Sequence, residues 1–477
     1  MEERSGICSL EQQNLLKAIP KSPQLDPSGE KLLALLNAAE KKQLPVTSFA
    51  RARVMSSLPA KITFAYFAYW MRSRFANSTQ KHELRQEAHL SAALQLLSTM
   101  GYMRGAVMKV GQMLANFPNL MPQQFIDVLQ TLHFQAPPMH YAMVRDVLLD
   151  ELGQEPEFLF AHFEKRAFAA ASLGQVHRAR LHSGEEVVVK IQYPNMARTI
   201  RSDLRNLRTL LLPLRFSRHW NHLDELLIDI EKVLGKEIDY KQEADYYQQA
   251  KALFQPDEGI VVPHVFEKYS TTRVLCTDYL AGKHLPEYLS TVPNQQQRNH
   301  SCKLIVTAFL RTYYHKRWLI ADPHPGNILF LDDGRIGLID FGCTRVMDDA
   351  EWQNNCLHEQ GLCMDDLDKI HRAAAYSFFY DSPDEMPPEH LELTQRFGDW
   401  VYKPWKQDGD FDFGDEDFFN TGCKLFMEFI QRKYGTAASL HFWGNRSIFG
   451  LRSLAFQLKA KVPYKDIYIK ESKGFLF

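Results

Sequence analysis

The stretch Leu319-Ile320-Ala321-Asp322-Pro323-His324-Pro325-Gly326-Asn327, followed by Asp340-Phe341-Gly342, constrains this chain more than any other. The apolar runs Ile328–Phe330 and Ile336–Ile339 are joined by Asp332-Asp333-Gly334, a strong hairpin signal. One strand therefore starts beside Asn327 and the other ends at Asp340. Asp322 precedes them on a loop stiffened by Pro323 and Pro325. Phosphoryl transfer uses one carboxylate near the attacking hydroxyl, with an Asn and an Asp to hold Mg²⁺ against the phosphates. Any one of these residues alone is an ordinary turn residue; the ordered set is what points to chemistry.

The D-x4-N…DFG order is the one protein kinases use, so the rest of such a site can be sought upstream. Glu186–Gln192 reads as a strand that carries Lys190 in the place of the lysine of V-A-I-K. The strand before it, Gln175–Leu181, turns back through His182-Ser183-Gly184. A glycine-rich phosphate loop should precede that strand, but the residues are Ala169-Ala170-Ala171-Ser172-Leu173-Gly174. Alanine restricts φ where glycine would let the backbone come close to phosphates, so the phosphates should be held differently. A helical pattern from about Leu223 to Phe254 contains Glu237, Asp239 and Glu243. Asp239 and Glu243, four apart, are expected on one face, and Glu243 is the candidate partner of Lys190, although a solvated acidic face gives the same pattern. The strand Val274-Leu275-Cys276 leads to Thr277-Asp278-Tyr279-Leu280, where a nucleotide base is expected. Near residue 105 an apolar helical segment sets Lys109 and Gln112 three apart on one face, with two glycines inside.

K-x-G-Q at Lys109–Gln112, the A-A-A-S loop, V-V-V-K-I-Q-Y-P, E-x-D-Y-x-x-E-A, D-P-H-P-G-N and D-F-G, in this order, resemble the UbiB/ADCK family of atypical kinase-like proteins. The likeness runs from about Gly101 to Arg345, and Asn445-Arg446-Ser-Ile-Phe-Gly450-Leu-Arg resembles the family's later C-terminal helix. The resemblance implies an α+β fold: a two-lobe protein-kinase-like core with an N-terminal helical extension and a mostly α-helical C-lobe. The expected divisions are residues 1–95 for the extension, 96–282 for an N-lobe with inserted K-x-G-Q helices, and 283–477 for the C-lobe. It also implies that ATP and Mg²⁺ are the cofactors, with Asn327 and Asp340 on the metal and Asp322 as the catalytic-loop acid. Lys190 and Glu243 would pair. Ala169, Ala170, Ala171 and Ser172, with Lys190, Thr277, Asp278 and Leu280, would bind the nucleotide. Lys109 and Gln112 would plug the cleft against Glu237 and Asp239. The family's link to ubiquinone and isoprenoid-lipid handling implies lipid and biosynthetic protein partners, with ATPase activity better supported than protein phosphorylation. Ile320 stands where many relatives have His, and the family's frequent C-terminal apolar span is missing.

Charge balance, with 56 Lys+Arg against 57 Asp+Glu, argues against nucleic acid as a partner. The seven cysteines are scattered and have no zinc spacing. No run reaches the roughly 18 apolar residues of a membrane span. The N-terminus has no apolar targeting segment, which suggests a cytoplasmic setting. Residues 1–45 read as a loosely attached arm. The aromatic, arginine-closed segment Leu58–Phe75 suits either a helix lying on a membrane surface or one packed on the core. Five helices are expected after Val346: Gln353–Cys363, Asp365–Phe379, Glu389–Val401, Asp415–Tyr434 and Asn445–Ala460. The stretch Lys403–Asp417 should be an exposed loop. Two functions remain: an ATPase or small-molecule or lipid kinase, and a nucleotide-gated scaffold with little phosphotransfer.

Overall fold

The computed structural model describes residues 139–477 except 172, 212–227, 229–230, 233, 321–322, 433–438 and 476–477, together with Gln80 and Leu84. The chain divides into two compact units, Met1–Pro137 and Pro138–Phe477. The aromatic segment, Lys109, Gln112, Ser172 and Asp322 lie outside the described residues.

The second unit opens with helix α1 (Tyr141–Leu152), capped at its end by Gly153 in the left-handed conformation. Strands β1 (His162–Phe163), β2 (Ala169–Ala171), β3 (Gly174–Arg180) and β4 (Glu186–Gln192) follow. Next come helices α2 (Met196–Leu211) and α3 (Tyr240–Lys251), then strands β5 (Ile260–Val261) and β6 (Val274–Asp278). Strands β1, β3, β4 and β6 pair in that order, antiparallel, and β2 folds back on β3. Residues opposite one another share a face, and faces alternate along a strand. His177, Ala179, Val187, Val189, Ile191, Val274 and Cys276 therefore fall on one face, and bury it against Val144, Val147 and Leu148 of α1. Val176, Arg178, Val188, Lys190, Leu275 and Thr277 fall on the other. Gly174 is required at the start of β3: a Cβ there would lie 2.3 Å from the Ile191 carbonyl oxygen.

The long helix α4 (Gln295–Lys316) opens with a capping box of Asn294 and Gln297. It leads to β7 (Trp318–Ile320), β8 (Ile328–Phe330), β9 (Ile336–Leu338) and β10 (Thr344–Val346). β8 and β9 form the expected hairpin, β5 adds to β9 in parallel, and β7 pairs with β10. Helices α5 (Asp349–Met364), α6 (Leu367–Ser377), α7 (Pro388–Lys406), α8 (Glu416–Gln431), α9 (Ser439–Gln457) and α10 (Tyr464–Ser472) complete the unit. Two buried polar networks tie these helices to α4. Arg311 donates to both carboxylate oxygens of Glu471 on α10 at 2.9 Å and to Glu258 at 2.7 Å. Glu359 on α5 accepts the hydroxyls of Tyr313, Tyr314 and Tyr468, so its buried oxygens are satisfied.

Two expectations are corrected. The helix expected to run through Asp239 is broken there. Residues 234–237 are helical, Ile238 turns, and Asp239 is extended (φ −101°) and caps α3 by accepting the Lys241 amide. Gln192 of β4 donates to the Ile238 carbonyl at 2.8 Å, which fixes the break to the sheet. Asp239 and Glu243 therefore do not share a helix face as two interior residues; an Asp that can cap wins over continued periodicity. The stretch from Lys403 is also not one continuous exposed loop: residues 407–410 are exposed and irregular, but both flanks are structured. α7 continues to Lys406, and β11 (Phe411–Asp412) pairs with β12 (Lys461–Val462). Phe411 and Phe413 are buried, and burial of two aromatic rings outweighs the polar composition around them.

Three histidines withdrawn from solvent, His177, His358 and His390, give this unit an acid-sensitive stability. Gln175 donates to Nε2 of His177, whose Nδ1 meets the Glu164 carbonyl, an arrangement that needs the neutral ring. Burial lowers the His177 pKa, and lowers those of His358 and His390 to about 4. A histidine depressed in the folded state keeps its contribution above about pH 6.5 and loses it as pH falls through the folded value. Urea unfolding should show stability falling between about pH 6.5 and 4. His358→Leu should reduce that fall by about 3 kcal/mol; an unchanged fall would exclude His358 as a source of it.

Candidate functional site

The polar centre is built where β4, α3 and the β8–β9 hairpin converge. Lys190 stands on the sheet face opposite the α1 core, and its Nζ donates to both Glu243 oxygens at 2.9 Å and to Asp340 Oδ2 at 3.3 Å. Tyr240, the first residue of α3, lies beneath this cation, 5.0 Å from ring centroid to Nζ. The Glu243 side chain is almost fully enclosed, whereas that of Asp340 is 31% exposed. Burial works against the charge of Lys190, but Asp340 and then Glu243 overcome it and hold its pKa well above the ordinary value. Lys190 therefore stays charged. Burial raises Glu243 to about 7, with Lys190 opposing and Asp340 adding to the rise. The rise has a plain cause: the Glu243 carboxylate is almost fully enclosed, and the one cation beside it is shared with a second carboxylate.

α3 is also fastened to the strand that delivers Asp340. Tyr247, one turn after Glu243, donates to the Ile339 carbonyl at 2.5 Å. Its ring meets buried Phe341 edge-on at 4.9 Å, and Phe341 in turn meets Trp318. Asp340 Oδ1 accepts the Gly342 amide at 2.9 Å, so the carboxylate is held at both oxygens. Glu237 joins the same spot: its Cγ, Glu243 Oε2 and Asp340 Oδ1 all lie within 3.5 Å of where a Cβ on Gly342 would sit.

Asn327 ends a single 3₁₀ turn, Pro325–Asn327, and its carbonyl accepts the Ile339 amide at 3.1 Å. The hairpin thus holds Asn327 and Asp340 at neighbouring ends of paired strands. An amide oxygen and a carboxylate are hard donors of the kind Mg²⁺ takes, and the local excess of negative charge favours a cation at Asp340. Among the described residues no group of three or more His, Cys, Asp or Glu could itself hold a metal, so such an ion would rely on further oxygens from a ligand. The loop before Asn327 is buttressed from far along the chain. Gly450 of α9 lies against Pro323, where an added Cβ would fall 1.8 Å from the proline Cγ. Glycine inside a helix costs about 1 kcal/mol relative to alanine, and here it permits that contact.

The remaining expected residues are distributed as follows. Register puts Ala169 and Ala171 opposite Val176 and Gly174, on the face that carries Lys190, and pairs Ala170 with Gln175. Thr277 is buried on the same face, opposite Val188. The Asp278 carboxylate accepts the His264 amide at 2.8 Å, and the Asp278 and Tyr279 amides donate to the His264 and Glu186 carbonyls. Leu280 packs over Gly337 of β9, and the backbones of Lys283 and Phe330 exchange hydrogen bonds, so this segment is joined to the hairpin. Sequence reasoning did not find Tyr247, although its i+4 spacing from Glu243 was a readable signal. Nor did it find the Gly450–Pro323 contact, which has no local signal.

Comparison with known proteins gives the family and the fold. Residues 131–374, about half of the chain, match the ABC1 atypical kinase-like domain. Atypical kinase COQ8B, mitochondrial, of Rattus norvegicus is 28% identical over 91% of this chain and 82% of its own length. Atypical kinase COQ8, mitochondrial, of Saccharomyces cerevisiae is 33% identical over 51% of this chain and 48% of its own. AarF domain-containing protein kinase 1 of Xenopus laevis is 29% identical over 65% of this chain, which spans 61% of that relative's length. The solved complex of Rv3197 with erythromycin, from Mycobacterium tuberculosis, superposes with a TM-score of 0.54 at 25% identity, covering 83% of this chain and all of that one.

Lys190→Met should cost about 3 kcal/mol of stability by leaving Glu243 buried and unpaired, whereas Lys190→Met with Glu243→Leu should recover much of it. Strict additivity in urea unfolding would refute the coupling. Gly450→Ala should speed amide hydrogen exchange at Gly326 and Asn327; unchanged exchange there would show that α9 does not hold this loop.

Proposed function

This chain belongs to the ABC1 atypical kinase-like family, and on that premise we propose that it binds Mg-ATP and hydrolyses it or transfers its terminal phosphate to a small or lipid acceptor. The observation that carries this reading is the bidentate Lys190–Glu243 pair set against Asp340 on one cleft face. In this reading Glu243 aims Lys190 at the phosphates, and Asn327 and Asp340 are the residues that would hold the magnesium ion. Bound there, the ion would neutralise charge developing on the phosphate oxygens. Asp322 is the loop acid next to the acceptor. Ala169–Ser172 cover the phosphates, and Thr277, Asp278 and Leu280 border the base. Similarity to the mitochondrial atypical kinases COQ8B and COQ8 supports an atypical-kinase role, and we extend the reading to ubiquinone or other isoprenoid-lipid biosynthesis, with a lipid ligand, biosynthetic protein partners and a membrane surface as its setting. Among the described residues no helix is long and apolar enough to cross a membrane.

The test is ATP turnover with and without Mg²⁺, and with liposomes that carry isoprenoid-like lipids. Asp340→Asn should weaken Mg-dependent nucleotide binding on the order of 10²-fold, and Lys190→Met should lower turnover on the order of 10²-fold. Unchanged Mg-ATP affinity in Asp340→Asn would overturn the metal assignment. Tight nucleotide binding without turnover under every condition would replace the enzyme reading with that of a nucleotide-gated scaffold.

A further inference from the structure

The cleft face that carries Lys190 also carries Arg178, paired across the sheet with Val188, which is in turn paired with Thr277. Val188 lies two positions before Lys190, about 7 Å along the strand. Arg178 therefore stands toward the Thr277–Leu280 end of the face, away from the phosphate-pairing lysine. In the reading proposed above, which this inference deepens, that is the base end of the nucleotide.

The guanidinium is wedged between two aromatic rings. Its Cζ lies 4.4 Å from the Phe168 ring centroid and 4.0 Å from that of Tyr279, and it donates to the Tyr279 hydroxyl. The two rings meet edge to face at 6.0 Å. Phe168 immediately precedes β2 and is half exposed; Tyr279 immediately follows β6. The three side chains therefore bridge the strand pair above the cleft to the segment bordering it. Nε of Arg178 is buried and has no hydrogen-bond partner. A buried guanidinium donor left unsatisfied is costly, so the closed arrangement carries a penalty that an acceptor on an arriving ligand could relieve.

We propose that Arg178, Phe168 and Tyr279 form a latch across the base subsite, and that a purine nucleotide enters only when the guanidinium leaves Tyr279. The apparent affinity of the site is then its intrinsic affinity reduced by the fraction of molecules with the latch open. Once released, the planar guanidinium can stack on the purine and its Nε–H can meet a ring acceptor. The latch thus governs entry of the base, while Lys190 and Asp340 serve the phosphates.

Stopped-flow fluorescence with N-methylanthraniloyl-ATP and Mg²⁺ tests this on the full chain. Arg178→Ala should raise the association rate on the order of tenfold, the size expected for losing cation–π contacts and one hydrogen bond. Arg178→Lys, which keeps charge but loses the planar fork, should give a smaller rise. Tyr279→Phe removes a single oxygen, should also accelerate binding, and keeps the test valid if Arg178→Ala melts early. If the native chain binds the nucleotide and none of these variants associates faster, the latch falls and the nucleotide site stands. Slower association in Arg178→Ala would make Arg178 a base-holding residue and overturn the latch. If neither native chain nor variants bind nucleotide, both readings fall.

Discussion

Three charges within contact distance, Lys190, Glu243 and Asp340, are the constraint around which the second unit is arranged. Each comes from a different place: β4, α3 and the residues just past β9. A buried ion pair is expensive to assemble, because two groups lose water before they gain one another. Its value lies in orientation. The sheet has to present Lys190 on the face away from the α1 core. Helix α3 has to begin at its Asp239 cap, so that Glu243 falls in the first turn and meets the lysine. The hairpin has to end beside both. The surrounding contacts meet those demands: Gln192 pins the break before α3, and Tyr247 pins α3 to Ile339.

Much of this was legible in the chain. Alternation in Glu186–Gln192 and the turn Asp332-Asp333-Gly334 specify a strand and a hairpin through local rules, and both elements are present. The pairing of Lys190 with Glu243 followed from a family pattern, and the geometry agrees with it. Legibility failed where long-range contacts decide local structure. Periodicity carries a helix through Asp239, but a bond from Gln192 to Ile238, 46 residues apart, stops it. Polar composition around Phe411 suggests a loop, but pairing with Lys461–Val462 buries it. Arg178 carried no mark at all in the sequence; only sheet register reveals which face it occupies.

The C-terminal helices work as a brace rather than an appendage. Arg311 joins α4 to α10 through Glu471, and Glu359 gathers hydroxyls from α4 and α10. Such networks favour one arrangement of packed helices because every partner is used, and loss of one leaves the others unsatisfied. Helix α9 extends the brace to the loop that precedes Asn327.

The contact between Gly450 and Pro323 also sets a timetable. The two residues are about 130 positions apart, so the loop is synthesised well before the helix that supports it. At roughly 5–20 residues per second on the ribosome, the gap is on the order of ten seconds. During that interval the nascent chain holds its lysine, its paired glutamate and its hairpin, but not the backing for the loop between β7 and β8. The last structural component of the site is therefore supplied by chain that emerges late, and an interrupted polypeptide carries an unsupported loop.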